Sequence, residues 1–212
     1  MLGSRTPIRV LVVDYGEVLS LPPDPAPFAE MAHLVGAEPG RLMDAYWEHR
    51  PAYDRGELDA RSYWPLVGES IGATLDEERI VALGGLDLAL WSRVDQRMLD
   101  WANAIAATGT RVGLLSNMVA EIGAHLRDGL GLFERFASVT YSYEVGSAKP
   151  DPRIYHHALA SLGAEPHEAL LVDDRQPNIE AALGLGMHAH HFHGHDDLVA
   201  DVGARYLFVR QR

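Results

Sequence analysis

Short apolar runs rich in β-branched residues recur along this chain, separated by stretches with helical spacing. Each run has four to six residues, the length and composition of a strand that is buried on both faces. The five runs are 8–13, 111–115, 137–140, 169–172 and 187–192. Strands that alternate with helices form a mostly parallel sheet with helices on both faces. The sequence therefore predicts an α/β fold.

The helices between the later runs have recognisable ends. Aspartate or proline favours a helix start, and glycine favours a helix end. On these signals the predicted helices are 95–108, 151–163 and 177–184, the last with an alternative end near Gly186.

Residues 21–91 interrupt this alternation, because no convincing strand pattern occurs there. The segment opens with 22–27, which contains four prolines and predicts a stiff linker. Helices are then predicted near 28–35, 41–50, 60–71 and 75–83. We therefore expect an all-helical cap subdomain at 21–91, inserted into a core formed by 1–20 and 92–212.

The composition narrows the classes of partner and location. The chain has 212 residues, 47% of them hydrophobic, and no cysteine for disulfides or thiolate metal sites. Its net charge of −12 argues against nucleic acid or an anionic membrane as a partner. No run approaches the ~20 apolar residues of a membrane span, and residues 1–9 are too polar and short for a signal peptide. We expect a cytoplasmic protein and leave its oligomeric state open.

Polar side chains follow four of the predicted strands. Asp14 follows the first run, Ser116 and Asn117 follow the second, and the pair Asp173-Asp174 ends the fourth. Lys149, the only lysine in the chain, lies beyond the run 137–140, and its compact ammonium suits a tight site for phosphate or carboxylate. Because the carboxyl ends of parallel strands lie along one edge, we expect these groups to converge.

The convergence predicts a metal site. Three carboxylates in close proximity repel one another unless a hard cation neutralises them, and oxygen ligands suit Mg²⁺. The alternative is that Asp14 is a turn residue, that Asp173-Asp174 is a solvated pair at a helix start, and that Lys149 is an ordinary surface residue.

Together these motifs resemble the haloacid dehalogenase superfamily, most of whose members are phosphatases. The resemblance covers about residues 6–20 and 95–195. It rests on the order and spacing of Asp14, Ser116-Asn117, Lys149-Pro150 and Asp173-Asp174. Within the helical segment, 53–58 is similar to the subfamily that carries a helical cap after strand one. The form Asp-x-Gly-x-Val at 14–18 is similar to small sugar-phosphate phosphatases and to phosphatase-like domains beside some epoxide hydrolases.

The resemblance implies a Rossmann-like core and a mechanism. Asp14 would attack phosphorus and form an aspartyl-phosphate, which water then hydrolyses. Ser116, the Asn117 backbone and Lys149 would bind the phosphoryl oxygens of a small phosphorylated substrate. Mg²⁺ would be held by Asp14, the Gly16 carbonyl oxygen and Asp174. Asp173 would be either a direct ligand or a neighbour of one, with Asn178 as a candidate supporting residue.

Position 16 departs from the family pattern. Most phosphatases of the family have an aspartate there that acts as general acid and then base, whereas this chain has Gly16. Glu17 is adjacent, but we expect its side chain to point elsewhere. Without a positioned acid, esters with activated leaving groups should be favoured. Metal binding stays possible, because a backbone carbonyl serves at this position.

Two alternatives to a Mg²⁺-dependent phosphatase remain open. A 2-haloacid dehalogenase uses no metal and generally lacks the paired acids, so Asp173-Asp174 argues against it. A non-catalytic, phosphate-binding regulatory relative would have lost turnover together with the missing acid. The phosphonate-cleaving branch is discarded, because it needs a cap lysine and residues 21–91 contain none.

Two further groups of side chains stand out. Aromatic and basic residues of the segment 21–91 are candidates for choosing the substrate, although aromatics at helical spacing are more often core. They are Tyr46, Trp47, His49, Arg50, Tyr53, Arg55, Arg61, Tyr63 and Trp64.

The histidine-rich run 188–195 could indicate a transition-metal site, because histidine is a common ligand of such metals. Its spacing fits no standard zinc site, so we favour a polar final strand.

Overall fold

The computed structural model describes residues 5–210, and its centre is a parallel five-stranded sheet. Seven strands are present among these residues: β1 (Thr6–Ile8), β2 (Val10–Val13), β3 (Arg111–Ser116), β4 (Ser138–Tyr141), β5 (Ala169–Asp173), β6 (His188–His191) and β7 (Tyr206–Phe208). The main sheet has the order β4-β3-β2-β5-β6, with every neighbouring pair parallel. The predicted α/β fold is confirmed.

The first apolar run forms two strands instead of one. The chain is interrupted at Arg9, whose backbone N–H donates to the carbonyl oxygen of Glu168 at 2.9 Å. On one side of this break β2 runs through the middle of the main sheet, between β3 and β5. On the other side β1 pairs with β7 in a separate two-stranded sheet. Neither β7 nor the helix before it was predicted from the sequence.

Helices cover the sheet and fill the long segment after β2. Their bounds are α1 (Pro25–Val35), α2 (Pro39–Asp54), α3 (Ala60–Ile71), α4 (Glu77–Trp91), α5 (Gln96–Ala107), α6 (Ala120–Ala124), α7 (Ser142–Val145), α8 (Pro152–Leu162), α9 (Gln176–Gly184) and α10 (His195–Arg205). The predicted caps at Asp95 and Asp151 are confirmed, since each side chain accepts a hydrogen bond from the first turn of its helix. No helix in the range 5–210 has the length and apolar character required to cross a bilayer.

The four helices α1–α4, which we call the four-helix segment, follow one another between β2 and α5. The predicted linker at 22–27 is wrong in its second half, because α1 begins at Pro25 with Asp24 as its N-cap. Pro25 and Pro27 lie in the first turn, where the missing N–H groups have no helical acceptor to lose. The helix predicted at 75–83 continues to Trp91. The subdomain limits at 21 and 91 stay a prediction.

Candidate active site

The polar residues predicted at the strand ends lie around one cavity of about 290 Å³. β2, β3 and β5 are adjacent in the sheet, so the residues at their carboxyl ends are brought together. Six of the predicted site residues line this cavity: Asp14, Gly16, Ser116, Asn117, Lys149 and Asp174. Asp173 lies behind them, completely buried.

Lys149 links two of the carboxylates. Its Nζ lies 2.8 Å from Asp14 Oδ1 and 2.6 Å from Asp173 Oδ2, and the residue is only 5% exposed. Burial lowers the pKa of Lys149, but the charges of the two carboxylates outweigh it and leave the pKa raised. The ammonium therefore stays charged at the centre of the site.

Asp14 is held in a fixed orientation and is 6% exposed. Its Oδ1 accepts from Lys149 and also from the backbone N–H of Tyr15 at 2.7 Å, and neither donor engages Oδ2. Burial raises the pKa of Asp14 to about 7, against the opposing charge of Lys149 and with help from Asp173 and Asp174. A buried carboxylate with one oxygen outside these contacts is arranged to act as a nucleophile.

Oxygens of Asp14, Asp173 and Asp174 lie within 4.8 Å of one another. Asp173 is already engaged at both oxygens: Lys149 contacts Oδ2, while Asn178 Nδ2 and the Arg175 backbone N–H each donate to Oδ1 at 2.9 Å. Burial, followed by the charge of Asp173, raises the pKa of Asp174. This concentration of negative charge fits a divalent cation, with Asp14 and Asp174 as the carboxylates that are better placed to ligate it.

The side chain of Asn117 orders the loop that carries Lys149. Asn117 Nδ2 donates to the Lys149 carbonyl oxygen at 2.9 Å, and Asn117 Oδ1 accepts from the Lys149 N–H at 2.7 Å. Ser116 Oγ lies 3.4 Å from the Asn117 carbonyl oxygen, too long for a strong hydrogen bond. The Ser116 hydroxyl is therefore available to a ligand in the cavity.

The structure leaves room at Gly16. A Cβ at this position would lie 3.8 Å from the Trp91 ring, which is ordinary van der Waals contact.

Glu17 also lines the cavity. Its charge helps to raise the pKa of Asp174, but less than burial and the charge of Asp173 do. Glu17 is exposed, and the expectation that its side chain points away from the site stays a prediction. The backbone of Glu17 is left-handed, with φ 53°, so the chain turns here instead of continuing as a strand.

The four-helix segment contributes four residues to the cavity: Trp47, Arg50, Asp54 and Trp91. Trp47 is 47% exposed, so part of this residue is open to a ligand. Arg50 is instead buried, with Nε 2.9 Å from Asp54 Oδ1 and Nη1 3.1 Å from Asp87 Oδ2. Its charge is already used by these carboxylates. Asp54 was not predicted as a site residue from the sequence. Neither was Arg175, which also lines the cavity.

Most of the other candidate side chains in this segment lie outside the cavity. Tyr46, Tyr63 and Trp64 are buried in the hydrophobic core. Tyr53 Oη donates to Glu121 Oε2 at 2.9 Å and joins α2 to α6. Arg55 lines a larger neighbouring depression of about 740 Å³ that shares residues with the first. His49 contacts Ser70, and Arg61 forms an exposed ion pair with Glu77.

The histidine-rich run supplies structural contacts. His190 Nδ1 lies 2.8 Å from Asp201 Oδ2 on α10, and His191 Nε2 lies 2.8 Å from the carbonyl oxygen of Asp174. Within the described range 5–210, no cluster of three ligating side chains includes a histidine of this run. The run begins with β6, a strand at one edge of the main sheet, but β6 is not the final strand that the sequence favoured, because β7 follows it.

Comparison with known proteins gives one family. A family model described as haloacid dehalogenase-like hydrolase matches residues 66–186. The chain is 38% identical over 174 residues to a phosphoserine phosphatase of Thermus thermophilus, covering 77% of this chain and 68% of that protein. It is 26% identical over 197 residues to bifunctional epoxide hydrolase 2 of Mus musculus. That match covers 85% of this chain but spans only 35% of the mouse protein.

A solved structure agrees on the fold. The HAD family enzyme from Bacteroides thetaiotaomicron superposes with a TM-score of 0.75 at 18% identity, covering 92% of this chain and 99% of that one.

Proposed function

Because the chain belongs to the haloacid dehalogenase-like hydrolases, we propose that it hydrolyses a small phosphate monoester with Mg²⁺ as cofactor. The observation that carries this proposal is the buried group of Asp14, Lys149, Asp173 and Asp174, with two ion pairs at 2.8 and 2.6 Å. The cavity, at about 290 Å³, falls at the small end of ligand pockets and favours a small substrate.

In the proposed reaction Asp14 attacks phosphorus and forms an aspartyl-phosphate, which water then hydrolyses. Lys149 and Ser116 bind the phosphoryl oxygens, and the ammonium also keeps Asp14 in its orientation. Asp173 positions Lys149, because both of its oxygens are held by protein donors.

Mg²⁺ suits the oxygen donors around the cavity. Asp14, Asp174 and the Gly16 carbonyl oxygen would hold it. Bound there, the ion would shield the attacking carboxylate from the charge of the phosphate. The pair Asp173-Asp174 favours this chemistry over metal-free dehalogenation, because a third carboxylate in a site that binds an anion needs a compensating cation.

The proposal is tested by assaying a panel of small phosphate esters with Mg²⁺ and with EDTA. Asp14→Asn should abolish turnover while leaving the circular dichroism spectrum unchanged. Asp100→Asn is the matched control, because Asp100 is an exposed aspartate on α5 outside the cavity. Full activity in EDTA or in Asp14→Asn would refute the mechanism.

The same proteins separate the alternatives. Chloride release from 2-chloropropionate in EDTA would identify a dehalogenase. Phosphate binding by calorimetry, without turnover of any ester, would identify a non-catalytic relative.

A further inference from the structure

We propose that Asp54, the last residue of α2, donates a proton to the leaving-group oxygen. It would thereby act as the general acid that is missing at Gly16. This inference rests on the proposed phosphatase activity. It names a catalytic residue outside the sheet, on the four-helix segment.

Asp54 is placed to meet the substrate. It lines the same cavity as Asp14 and Gly16, and its side chain is 14% exposed. Arg50 Nε binds Oδ1 of Asp54, which leaves Oδ2 outside that ion pair and able to carry a proton. In a cavity of about 290 Å³, groups on its walls can contact opposite sides of one small ester.

The backbone at Asp54 is tied to the loop that follows β3. Ser142 Oγ donates to the carbonyl oxygen of Asp54 and accepts from the backbone N–H of Met118 at 2.8 Å. One hydroxyl therefore connects Asp54 to the loop that follows Ser116. Two residues further on, Gly56 approaches the core so closely that a Cβ there would lie 2.9 Å from the Tyr143 carbonyl oxygen. These contacts hold Asp54 at a fixed place relative to the sheet.

The charges around Asp54 favour its acid form. One guanidinium, that of Arg50, faces two carboxylates, those of Asp54 and Asp87. When both carboxylates are ionised, the cluster therefore carries one excess negative charge. Asp87 has the richer set of donors, since it accepts from Tyr46 Oη at 2.7 Å as well as from Arg50. The proton that relieves the excess charge is therefore better placed on Asp54.

The pKa of Asp54 agrees with this assignment. Burial raises it, the charge of Arg50 and its hydrogen bond lower it, and Asp87 raises it further. Arg175, which also lines the cavity, lowers it by a smaller amount. The result is a pKa above the usual value for aspartate, which is the direction that favours the acid form.

The proposed step balances. As the Asp14 carboxylate bonds to phosphorus, the bond from phosphorus to the ester oxygen breaks, and that oxygen takes the proton of Asp54 and leaves as an alcohol. In the second step water attacks the aspartyl-phosphate, and Asp54, now a carboxylate, receives the water proton. Phosphate leaves, and Asp14 and Asp54 return to their starting forms.

The test is the dependence of rate on leaving-group pKa across a series of aryl phosphates with Mg²⁺. With Asp54 as donor, the natural protein should show a shallow dependence, in contrast to the steep one expected from Gly16 alone. Asp54→Asn should lose about 10²–10⁴-fold on the poorest leaving groups and little on the most activated one. Activity on the activated ester also shows that the variant is folded.

Asp87→Asn is the matched control, because Asp87 belongs to the same buried cluster but does not line the cavity. At a pH below the pKa of Asp54, where Asp54 still carries its proton, Asp87→Asn should keep the shallow dependence. The rate of the natural protein should fall as pH rises through the pKa of Asp54, since the acid form is the active one. Asp87→Asn should move this fall to lower pH, and Asp54→Asn should remove it.

Rescue supplies a second variant. Gly16→Asp in the Asp54→Asn background should restore part of the rate on poor leaving groups, because position 16 has room for a Cβ. An unchanged slope in Asp54→Asn, or an equal loss on every ester, would overturn the role of Asp54. The role of Asp54 would also be overturned if Asp87→Asn left the fall in rate at the same pH as in the natural protein. Absence of turnover by the natural protein would overturn the phosphatase proposal and this one together.

Discussion

Replacing Lys149 by methionine tests whether one ammonium stabilises the two carboxylates at the centre of the site. Methionine is of similar length, so Lys149→Met removes the charge and leaves little cavity. The change breaks contacts at 2.8 Å to Asp14 and 2.6 Å to Asp173, all between buried groups. Removing one partner of a buried ion pair costs about 3–5 kcal/mol, because the remaining charge is left uncompensated.

For a chain of this length about 1 kcal/mol shifts Tm by roughly 2–4 °C. The variant should therefore melt roughly 6–20 °C below the natural protein. The measurement is thermal and urea denaturation at pH 7 in EDTA, so that bound metal does not mask the loss.

A double-mutant cycle identifies the cause. Asp173→Asn added to Lys149→Met should recover part of the lost stability, because it removes one of the two uncompensated charges. Its amide oxygen can still accept from Asn178 and from the Arg175 backbone. A loss below about 1 kcal/mol in Lys149→Met, or strict additivity in the double variant, would refute the idea that Lys149 balances these charges.

Three further changes probe metal binding, selectivity and anchoring. Asp174→Asn should weaken Mg²⁺ binding in calorimetry by at least roughly tenfold, since even residues that only support a ligand have effects of that size; Lys149→Met should not weaken it. Trp47→Ala should alter the ranking of phosphate esters more than it alters Mg²⁺ affinity, and an identical ranking would assign selection to the core loops. Gly56→Ala should destabilise the protein in urea by more than Gly146→Ala. Both glycines have left-handed φ, 70° and 66°, worth about 1–2 kcal/mol each, but only Gly56 faces a backbone oxygen within 3 Å.

The sheet was predictable because its strands are buried on both faces. Val10–Val13 is fully buried, and such a run has few folded alternatives. The division at Arg9 was not predictable, because it depends on pairing between β1 and β7, about two hundred residues apart in sequence. The local sequence pattern around Arg9 carries no information about a partner strand so far away in the chain.

The site shows the same limit. Parallel topology alone brings Asp14, Ser116 and Asp173 together, so their convergence followed from the strand ends. Arg50 was a candidate for reaching the substrate, but the structure buries its charge against Asp54 and Asp87. Charged residues on a helix ordinarily face solvent, and only tertiary packing reveals which of them are enclosed. Asp54 has no sequence signal beyond its place in the run 53–58, which resembles the capped subfamily.

The burial of Lys149 has a consequence for the chemistry of the protein surface. The chain has one lysine; that residue is 5% exposed, and its amine is held by two carboxylates. Burial alone would lower the pKa of Lys149, but the two carboxylates raise it above the usual value, so the amine stays protonated and is a poor nucleophile. Acylating reagents, reducing sugars and amine cross-linkers therefore find no accessible lysine on this protein. Acylation of Lys149 would instead report that the centre of the molecule has opened, which makes the residue a built-in probe of unfolding at the site.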